Sequence, residues 1–453
     1  MRARGENLPP VTALASAPAG PLDRLLRLFA DVHPGEGGRL LLLALNLFLL
    51  LAAYYVMKPV REVLILAAPG GAELKSYAYG AQALLLLGLV PAYSALATRL
   101  PRRRLINVVS AFFILCLPVF YRLARAQASI GLVFFLWIGV FSLMVVAQFW
   151  AYANDVYTPD AGKRLFAVIA FGASAGAVAG AWISGHLIDV LGVNELLLAA
   201  AAILAASQLL FNLIDLRGSE PTAGTARKAD VAIGGDGAFA LLLRSRYLLL
   251  MAALMLLLSW VNSAGEYILS AVVTHTADAE IAAGTLAAGD RGHFIGAFFS
   301  DYFQLVNVIG MLLQLFVVAR LVQWVGVPVA LCVLPAIALG SYAVAALLPS
   351  LAILRWVKTA ENSVDYSLMN TVRQMLFLPT TREEKFKVKQ AIDGLVVRAG
   401  DVLSALTVYV GTTFFALGVA GFAWINVALV LLWLALAVAT GIEFRRRSAP
   451  VQK

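Results

Sequence analysis

Charged and amide side chains interrupt an otherwise apolar segment between residues 351 and 375. Lys358, Glu361 and Asp365 follow one another at intervals of three and four residues, so a helix places them on one face. Asn370 and Arg373 continue the polar series toward the end of the segment. Ionisable groups in apolar spans are costly against lipid and usually face a protein interior or a water-filled cavity. We therefore expect this segment to line water, the alternative being a face of fixed ion pairs.

A second set of charges lies near residue 60, beside a proline. Lys58 and Arg61 are three residues apart and share a helical face, whereas Lys58 and Glu62 are spaced for an ion pair within the helix. Pro59 removes a backbone donor and is expected to kink the helix beside a cavity. Two interpretations remain open. The side chains face a central cavity, or they lie at the membrane interface and extend to the headgroups.

Further charged residues fall in later apolar runs, and Asp301, which opens the eighth run, is expected to cap its helix. Glu266 is far enough inside its run to require a partner or a proton, in a role that is either coupling or purely structural. Arg398 and Asp401 share a helical face, where they pair with each other or reach the same cavity. The expected partners of Glu266 are Arg61, Lys58 and Arg373.

Arginine forks and lysine ammonium groups are well matched to phosphate in a low-dielectric cavity. The predicted substrate-binding residues are Lys58, Arg61, Asn370, Arg373 and Arg398. The carboxylates predicted to balance or couple charge are Glu62, Glu266, Glu361 and Asp365. We expect no metal and no cofactor, because the sequence offers no spacing typical of a metal or cofactor site.

The composition indicates which class of protein tolerates such groups. Of the 453 residues, 61% are hydrophobic and 13% are charged. A soluble domain of this composition would leave a large apolar surface exposed to water. The chain is therefore predicted to be an integral membrane protein, and its net charge of +9 is typical of basic cytoplasmic loops rather than of nucleic-acid binding. Walker and HExxH patterns are missing, and the four histidines and two cysteines are scattered, so enzyme activity is disfavoured.

A membrane-spanning helix needs about 20 mostly apolar residues, and the sequence supplies about twelve such runs. Six precede and six follow a polar linker, the arrangement typical of the major facilitator class. The fold is thus predicted to be all-α, with twelve transmembrane helices. The predicted parts are a cytoplasmic segment 1–37, a first six-helix bundle 38–216, a linker 217–246, a second bundle 247–441 and a tail 442–453.

Orientation follows from the basic residues, which are retained on the cytoplasmic side. Arginine and lysine collect between the second and third spans, after the fourth and before the eleventh, and Arg445–Arg447 end the last span. Both termini are therefore predicted to be cytoplasmic, and residues 1–37 do not read as a removable signal peptide. In the fifth span Gly172, Gly176 and Gly180 have the spacing that permits close helix packing.

The chain resembles the nucleotide transporter family of plastids and obligate intracellular bacteria, the ATP:ADP antiporters. The likeness rests on residues 55–64, 149–164 and 366–398, and the last block is the most specific. The resemblance implies a twelve-helix carrier of the bacterial inner membrane that exchanges ATP for ADP, or imports other nucleotides, by alternating access. It also places Arg61 and Arg373 where the family has phosphate-handling lysines.

Some positions depart from the family pattern, which marks the chain as a divergent bacterial member. Pro59 replaces an acidic residue of the first span, and residues 137–140 lack a glutamate of the fourth. Gln374, Asn370 and Asp401 stand where the family has two acidic residues and a lysine.

Two other functions remain open at this point. One is a proton-coupled major-facilitator carrier of another metabolite or a drug, with Glu266 as the coupling group. The other is a non-transporting membrane protein for interaction or sensing, in which the charges form fixed salt bridges. The expected partners are an anionic small molecule and the lipid bilayer, and a monomer is compatible with the sequence. The sequence does not determine which base the substrate carries, whether transport is exchange or proton symport, or the oligomeric state.

Overall fold

The computed structural model describes residues 21–27, 30–217, 238–381, 384 and 388–448. Within these residues every regular element is helical, as the sequence predicts. Two short helices, Pro21–Leu26 and Ala238–Arg244, precede the two sets of long helices. Most of the predicted linker 217–246 and the ends of the two terminal segments lie outside the described residues.

Six long helices form the first half of the chain. They are α1 (Gly37–Leu66), α2 (Gly71–Arg99), α3 (Arg102–Arg125), α4 (Gly131–Val156), α5 (Pro159–Val190) and α6 (Leu196–Arg217).

Six more follow after residue 237. They are α7 (Arg246–Ala282), α8 (Arg291–Phe316), α9 (Val318–Leu347), α10 (Leu351–Val364, continued by a π-helical turn Asp365–Met369 and by Asn370–Met375), α11 (Lys389–Ala391, a π-helical turn Ile392–Val396 and Val397–Phe415) and α12 (Val419–Ser448).

Nine of these helices are long and apolar enough to cross a membrane, counted over the described ranges. The other three are α2, α10 and α11, and each carries charged side chains within its length: Glu73 and Lys75, Lys358, Glu361 and Asp365, and Arg398 and Asp401. Such a helix crosses a bilayer only when its charges face protein or water. The composition of α2, α10 and α11 therefore indicates that their polar faces point inward.

Short polar caps fix where several helices begin. Thr158, Ser245 and Ser350 each accept a hydrogen bond from the backbone N–H three residues later, at the start of α5, α7 and α10. A side-chain oxygen at this position satisfies one of the N–H groups that a helix leaves unpaired at its N-terminus. Because successive helices alternate in direction, α1 begins and α12 ends at the same end of the bundle, here called the terminal face.

Glycines of α5 allow this helix to lie directly against α1. A Cβ atom at Gly172, Gly176 or Gly180 would meet the carbonyl oxygens of Ala44, Phe48 and Ala52, respectively. Each larger side chain would push the two backbones apart. The small-residue spacing thus serves helix packing, as predicted from the sequence.

The two halves meet most closely toward the end of the bundle opposite the terminal face. There His293 of α8 contacts Asp189 of α5 at 2.9 Å, and Arg291 donates to the carbonyl oxygen of Leu66 at 3.0 Å. Nearer the middle, Ser184 and Ser300 share a hydrogen bond of 3.0 Å. These contacts close the opposite face between the halves.

Asp301 differs from the sequence-based expectation that it caps the eighth span. Helix α8 begins ten residues earlier, at Arg291, so Asp301 lies in its interior and pairs with Arg355 of α10 at 3.5 Å. Arg122 and Arg125 lie in the last turn of α3, and Arg125 pairs with Glu195 at 3.1 Å.

Candidate functional site

A cavity of about 370 Å³ lies between α1, α7 and α10. Its walls combine aromatic, charged and amide side chains: Tyr55, Leu258, Asp365, Tyr366, Met369, Asn370 and Arg373. Arg373 lies within a turn of the end of α10, so the cavity extends from the middle of the bundle toward the terminal face. Its volume is within the range of small-molecule sites.

The wall contributed by α10 is a π-helical turn, Asp365–Met369. Such turns are rare and occur frequently at functional sites, because the extra residue redirects side chains and weakens the backbone hydrogen-bond ladder. Asp365, Tyr366 and Met369 all belong to this turn and all line the cavity. The sequence predicts that this segment faces water but contains no recognisable signal for the π turn.

Lys58 is buried beside the cavity without an anionic partner. Its side chain is only 6% exposed, and its ammonium nitrogen lies 4.2 Å from the ring centre of Phe303 and 4.7 Å from that of Tyr55. Tyr54 and Tyr366 are next, at 5.7 and 5.9 Å. Within the described residues the ammonium makes no hydrogen bond and no ion pair, so the intrahelical pair with Glu62 does not form. Ring faces stabilise a cation, but they leave its positive charge uncompensated.

Arg61 and Glu62 belong to a separate buried network, on the side of the cavity nearer the opposite face. Glu62 is fully buried and pairs with Arg61, the next residue, and with Lys75 of α2 at 2.7 Å. Lys75 also lies 3.4 Å from Glu266 of α7 and donates to Ser270 at 2.9 Å. This network connects the first half to the second. Two carboxylates and two cations balance within it, so Arg61 is committed to Glu62 rather than to the cavity.

The predicted partners of Glu266 differ from those observed. The expected cations are Lys58, Arg61 and Arg373, whereas the groups in contact are Lys75 and the side-chain amide of Asn362, which donates to Glu266 at 3.2 Å. Sequence reasoning missed Lys75 altogether. A signal exists, since Glu62 and Lys75 lie about one turn before and after the short α1–α2 connection and therefore at the same depth.

Lys358 and Glu361 form a buried ion pair at 3.1 Å inside the second half. The hydroxyl of Tyr342, on α9, donates to Glu361 at 2.9 Å and accepts from Lys358 at 3.4 Å. Asn362 donates to the Tyr302 hydroxyl at 2.6 Å. The charged face predicted for α10 is therefore divided: Lys358 and Glu361 pair with each other, and Asp365 reaches the cavity.

Arg373 reaches both the cavity and α11. Its guanidinium pairs with the carboxylate of Asp393, and its Nε atom has no hydrogen-bond partner among the described residues. Arg398, also on α11, pairs with Asp401 at 3.0 Å, and Asp401 accepts from Ser259 and Ser263 of α7 at 2.8 and 2.7 Å. Of the four predicted phosphate-binding cations, Arg373 alone lines the cavity. Lys58 lies behind two of the lining residues, with its ammonium nitrogen 4.7 Å from the ring centre of Tyr55 and 5.9 Å from that of Tyr366. Arg398 lies at neither place.

A larger cavity, of about 720 Å³, lies at the opposite face among the helix ends. Its cations are Arg125 and Arg291, which are paired with Glu195 and Asp278, respectively. The smaller cavity is the better candidate site because it lies between the halves within the membrane-spanning region and has an uncompensated cation beside it.

Comparison with solved structures identifies the fold. A bacterial homologue of the human lysosomal transporter Spinster, inward-facing and unoccupied, matches 93% of this chain and 100% of its own at a TM-score of 0.61 and 14% identity. The nucleoside transporter NupG matches 90% of this chain and 98% of its own, at a TM-score of 0.61 and 11% sequence identity. A POT family transporter bound to 5-aminolevulinic acid matches 90% of this chain and 96% of its own, at a TM-score of 0.60 and 14% sequence identity. No protein-family model and no curated protein sequence matches the chain.

These likenesses establish the major facilitator fold, as predicted from the six-plus-six pattern. They extend over nearly the whole length of both chains in each comparison, so the correspondence concerns the complete architecture rather than one helix bundle.

Proposed function

We propose that this protein is a membrane carrier that moves an anionic small molecule through the cavity between its halves, and that this molecule is a nucleotide. The fold is one used by transporters, and one of the similar structures is a nucleoside transporter. The resemblance to the ATP:ADP antiporters in residues 366–398 supports the same substrate class. Exchange of ATP for ADP is the specific form of this proposal.

The observation that carries the proposal is the buried, unpaired ammonium of Lys58 beside the cavity. Removing a charge from water is costly unless another charge or hydrogen bond compensates it. An anionic ligand in the cavity supplies that compensation. Phosphate oxygens suit the role because an ammonium group is a strong donor to them.

Tyr55 and Tyr366 give the cavity a second recognition element. Both side chains line the cavity and lie near the Lys58 ammonium. Aromatic rings stack on the faces of nucleobases, and such contacts are worth about 1–3 kcal/mol per base in nucleic-acid complexes. A ligand with a planar ring and a phosphate therefore fits the chemistry of both elements. Arg373 becomes a second phosphate donor when it leaves Asp393.

Alternating access gives the buried network a role. In this proposal the halves, residues 38–216 and 247–441, rock about the cavity, and the state described is closed at the opposite face. Lys75 connects Glu62 of the first half to Glu266 of the second. Opening the opposite face must separate Lys75 from Glu266, so this pair acts as a gate. We assign the terminal face to the cytoplasm of a bacterial inner membrane, in agreement with its basic loops.

Direct binding tests the substrate class without requiring transport. Purified protein in detergent is titrated with labelled ATP, ADP, adenosine and inorganic phosphate, and the Lys58→Gln and Arg446→Gln variants are compared. We expect nucleotides to bind more tightly than adenosine and only Lys58→Gln to lose that preference. Arg446 is the control because it lies on the exposed end of α12. Equal binding of adenosine and ATP would contradict the anionic substrate class.

A second candidate is a proton-coupled carrier of another metabolite. It is favoured by Asp365, which lines the cavity and has no hydrogen bond or ion pair among the described residues. An acid in that position takes part in substrate binding or carries a proton. A nonphosphorylated substrate would bind equally well to the Lys58→Gln variant, which separates the two candidates.

A further inference from the structure

A small internal pocket lies behind Asp365, on the side away from the cavity. It has a volume of about 10 Å³ and is lined by Leu258, Asn262, Leu334, Glu361, Asp365 and Trp433. This volume is close to the minimum that a single water molecule requires. Asp365 and Leu258 also line the candidate site, the cavity of about 370 Å³, so among the lining residues these two lie between the pocket and that cavity.

Three polar atoms around the pocket have no hydrogen-bond partner in the part of the chain that the structure describes. They are Oε2 of Glu361, Oδ1 of Asn262 and Nε1 of Trp433. Glu361 is 3% exposed and Trp433 is 2% exposed, so neither is compensated by bulk solvent. Buried polar atoms of this kind are normally satisfied by protein or by ordered water. Because two of the three atoms are acceptors and the indole N–H is a donor, the occupant must both donate and accept hydrogen bonds.

A water molecule meets this requirement and a bare metal ion does not. Water donates to Glu361 and Asn262 and accepts from Trp433, whereas a metal ion would face the positive end of the indole N–H. Lys358 lies 3.1 Å from the other oxygen of Glu361, and its charge also disfavours a second cation there. The pocket is therefore chemically suited to one water.

Asp365 has no cation within ion-pair distance among the described residues. Lys358 and Glu361 cancel each other, and Asp365 adds an unpaired carboxylate within the membrane-spanning region. An isolated charge in such surroundings is costly, and the smallest change that neutralises it is the addition of one proton.

Lys58 of α1 lies beside the same cavity, but its ammonium faces the rings of Tyr55 and Tyr366 and makes no ion pair with Asp365. The remaining charged groups on the helices around Asp365 already have partners. Arg373 of α10 pairs with Asp393 of α11, and Glu266 of α7 is held by Lys75 and Asn362. Tyr342 of α9 donates to Glu361, and the Tyr302 hydroxyl of α8 accepts from Asn362. Further away, Arg398 pairs with Asp401 on α11, and Asp301 of α8 with Arg355. The polar side chains of α12 nearest the site, Asn426 and Trp433, are neutral.

We propose that Asp365 is a proton-binding site of the carrier, supported by one ordered water in the pocket behind it. A proton passes from a hydronium ion in the cavity to a carboxylate oxygen of Asp365, so an O–H bond forms and the hydronium becomes water. Protonation and substrate occupancy then meet at one residue, which lines both the cavity and the pocket. This inference deepens the proposed function, because it makes the moved anion a proton-coupled substrate.

The first test observes the proton without using any substrate. Infrared difference spectra of the purified protein between alkaline and mildly acidic solution report a protonated carboxylic acid through its carbonyl stretch. We expect one such band to vanish in Asp365→Asn and to shift in frequency in Trp433→Phe, which removes the indole donor to the water. Asp301→Asn is the matched control, since Asp301 pairs with Arg355 outside the pocket, and it should leave the band unchanged.

Two results would overturn the site. One is an acid band that survives in Asp365→Asn, provided that the variant elutes as a single species in size-exclusion chromatography. The other is thermal stabilisation by NaCl, but not by KCl or choline chloride, that Asp365→Asn abolishes, because this would identify Na⁺ as the occupant.

A transport test separates this inference from the proposed function. In proteoliposomes, an imposed pH gradient should accelerate uptake of labelled nucleotide several-fold in the wild type and not in Asp365→Asn. Nucleotide uptake that is indifferent to the gradient, with no Asp365 band, would remove the proton site and leave the carrier assignment standing. An Asp365 band in a protein that takes up no nucleotide would support the proton site and would exclude a nucleotide as the substrate.

Discussion

The ammonium nitrogen of Lys58, on α1, lies 4.2 Å from the ring centre of Phe303, on α8. A buried cation of the first half thus meets the second half through an aromatic face and not through a carboxylate. The neighbouring Lys75 has the opposite arrangement, with Glu62 and Glu266 both in contact. We therefore propose different roles for the two buried lysines: Lys75 connects the halves, and Lys58 binds the ligand.

Replacement of Lys58 tests the second of these roles. We expect Lys58→Gln to weaken binding of the anionic substrate by a factor of roughly 10–100, the loss of one charge-assisted hydrogen bond of about 1.5–3 kcal/mol. Because the unpaired buried charge is also removed, the variant should be at least as resistant to heat as the wild type. Substrate titration and thermal melting of the same preparation measure both effects.

A coupled loss of binding and thermal stability would contradict this account. It would mean that Lys58 is a structural residue whose aromatic contacts hold α1 against α8.

The pair of Arg373 and Asp393 predicts opposite effects for its two members. Arg373→Gln removes a cation that lines the cavity and should weaken substrate binding. Asp393→Asn releases Arg373 from its carboxylate and should strengthen binding by about threefold to tenfold, because the ligand no longer competes with Asp393. Binding titrations at low and moderate salt measure both variants. Weaker binding in both would show that the pair acts as one structural unit.

The contact of Lys75 with Glu266 predicts a gate at the opposite face. In a background lacking Cys116 and Cys332, a cysteine at the buried position Ser300 reports access between the halves. Adding Lys75→Ala should increase its labelling by a membrane-impermeant maleimide about tenfold, a bias of roughly 1.4 kcal/mol toward the open state. Labelling rates are compared in right-side-out vesicles.

The matched control for the gate is Arg125→Ala. Arg125 pairs with Glu195 at the same face, but both residues belong to the first half. Its removal should leave the labelling rate at residue 300 unchanged. If Lys75→Ala behaves like Arg125→Ala, the network around Glu62 does not control access.

The contact of α5 with α1 predicts which glycines tolerate a side chain. Gly176→Leu should destabilise the protein by about 1–3 kcal/mol or more, because a Cβ already meets the carbonyl of Phe48. Gly340→Ala, in α9, has open space around the new methyl group and should be neutral or stabilising by up to about 1 kcal/mol through helix propensity. Thermal melting in detergent distinguishes the two.

The architecture could be predicted from the sequence because it depends on local properties. The length of each apolar run determines the spans, and the glycine spacing of α5 anticipates the approach of α1. The polar character of α10 likewise follows from Lys358, Glu361 and Asp365, which no lipid-facing helix can carry together. The prediction of Asp301 as a cap was wrong because the eighth helix begins ten residues earlier, at Arg291, where Arg291 and His293 interrupt the apolar pattern.

The partners within the site could not be predicted in the same way. Periodicity indicates which residues share one helix face, and it correctly groups Lys358 with Glu361 and Arg398 with Asp401. It contains no information on which helix lies opposite, so Glu266 was assigned to three cations and is bound by a fourth, Lys75. The assignment of Arg61 to phosphate failed to anticipate that its adjacent residue, Glu62, is its own partner in the fold.

The most direct test of the central claim is counterflow in proteoliposomes that contain ATP, ADP or no nucleotide, using the wild type, Lys58→Gln and Arg446→Gln. The account predicts saturable uptake of labelled nucleotide by the wild type and Arg446→Gln, and strongly reduced uptake by Lys58→Gln. Stimulation by internal nucleotide would identify exchange. Monodisperse wild-type protein that takes up no nucleotide under any of these conditions, with or without a pH gradient, would contradict the claim.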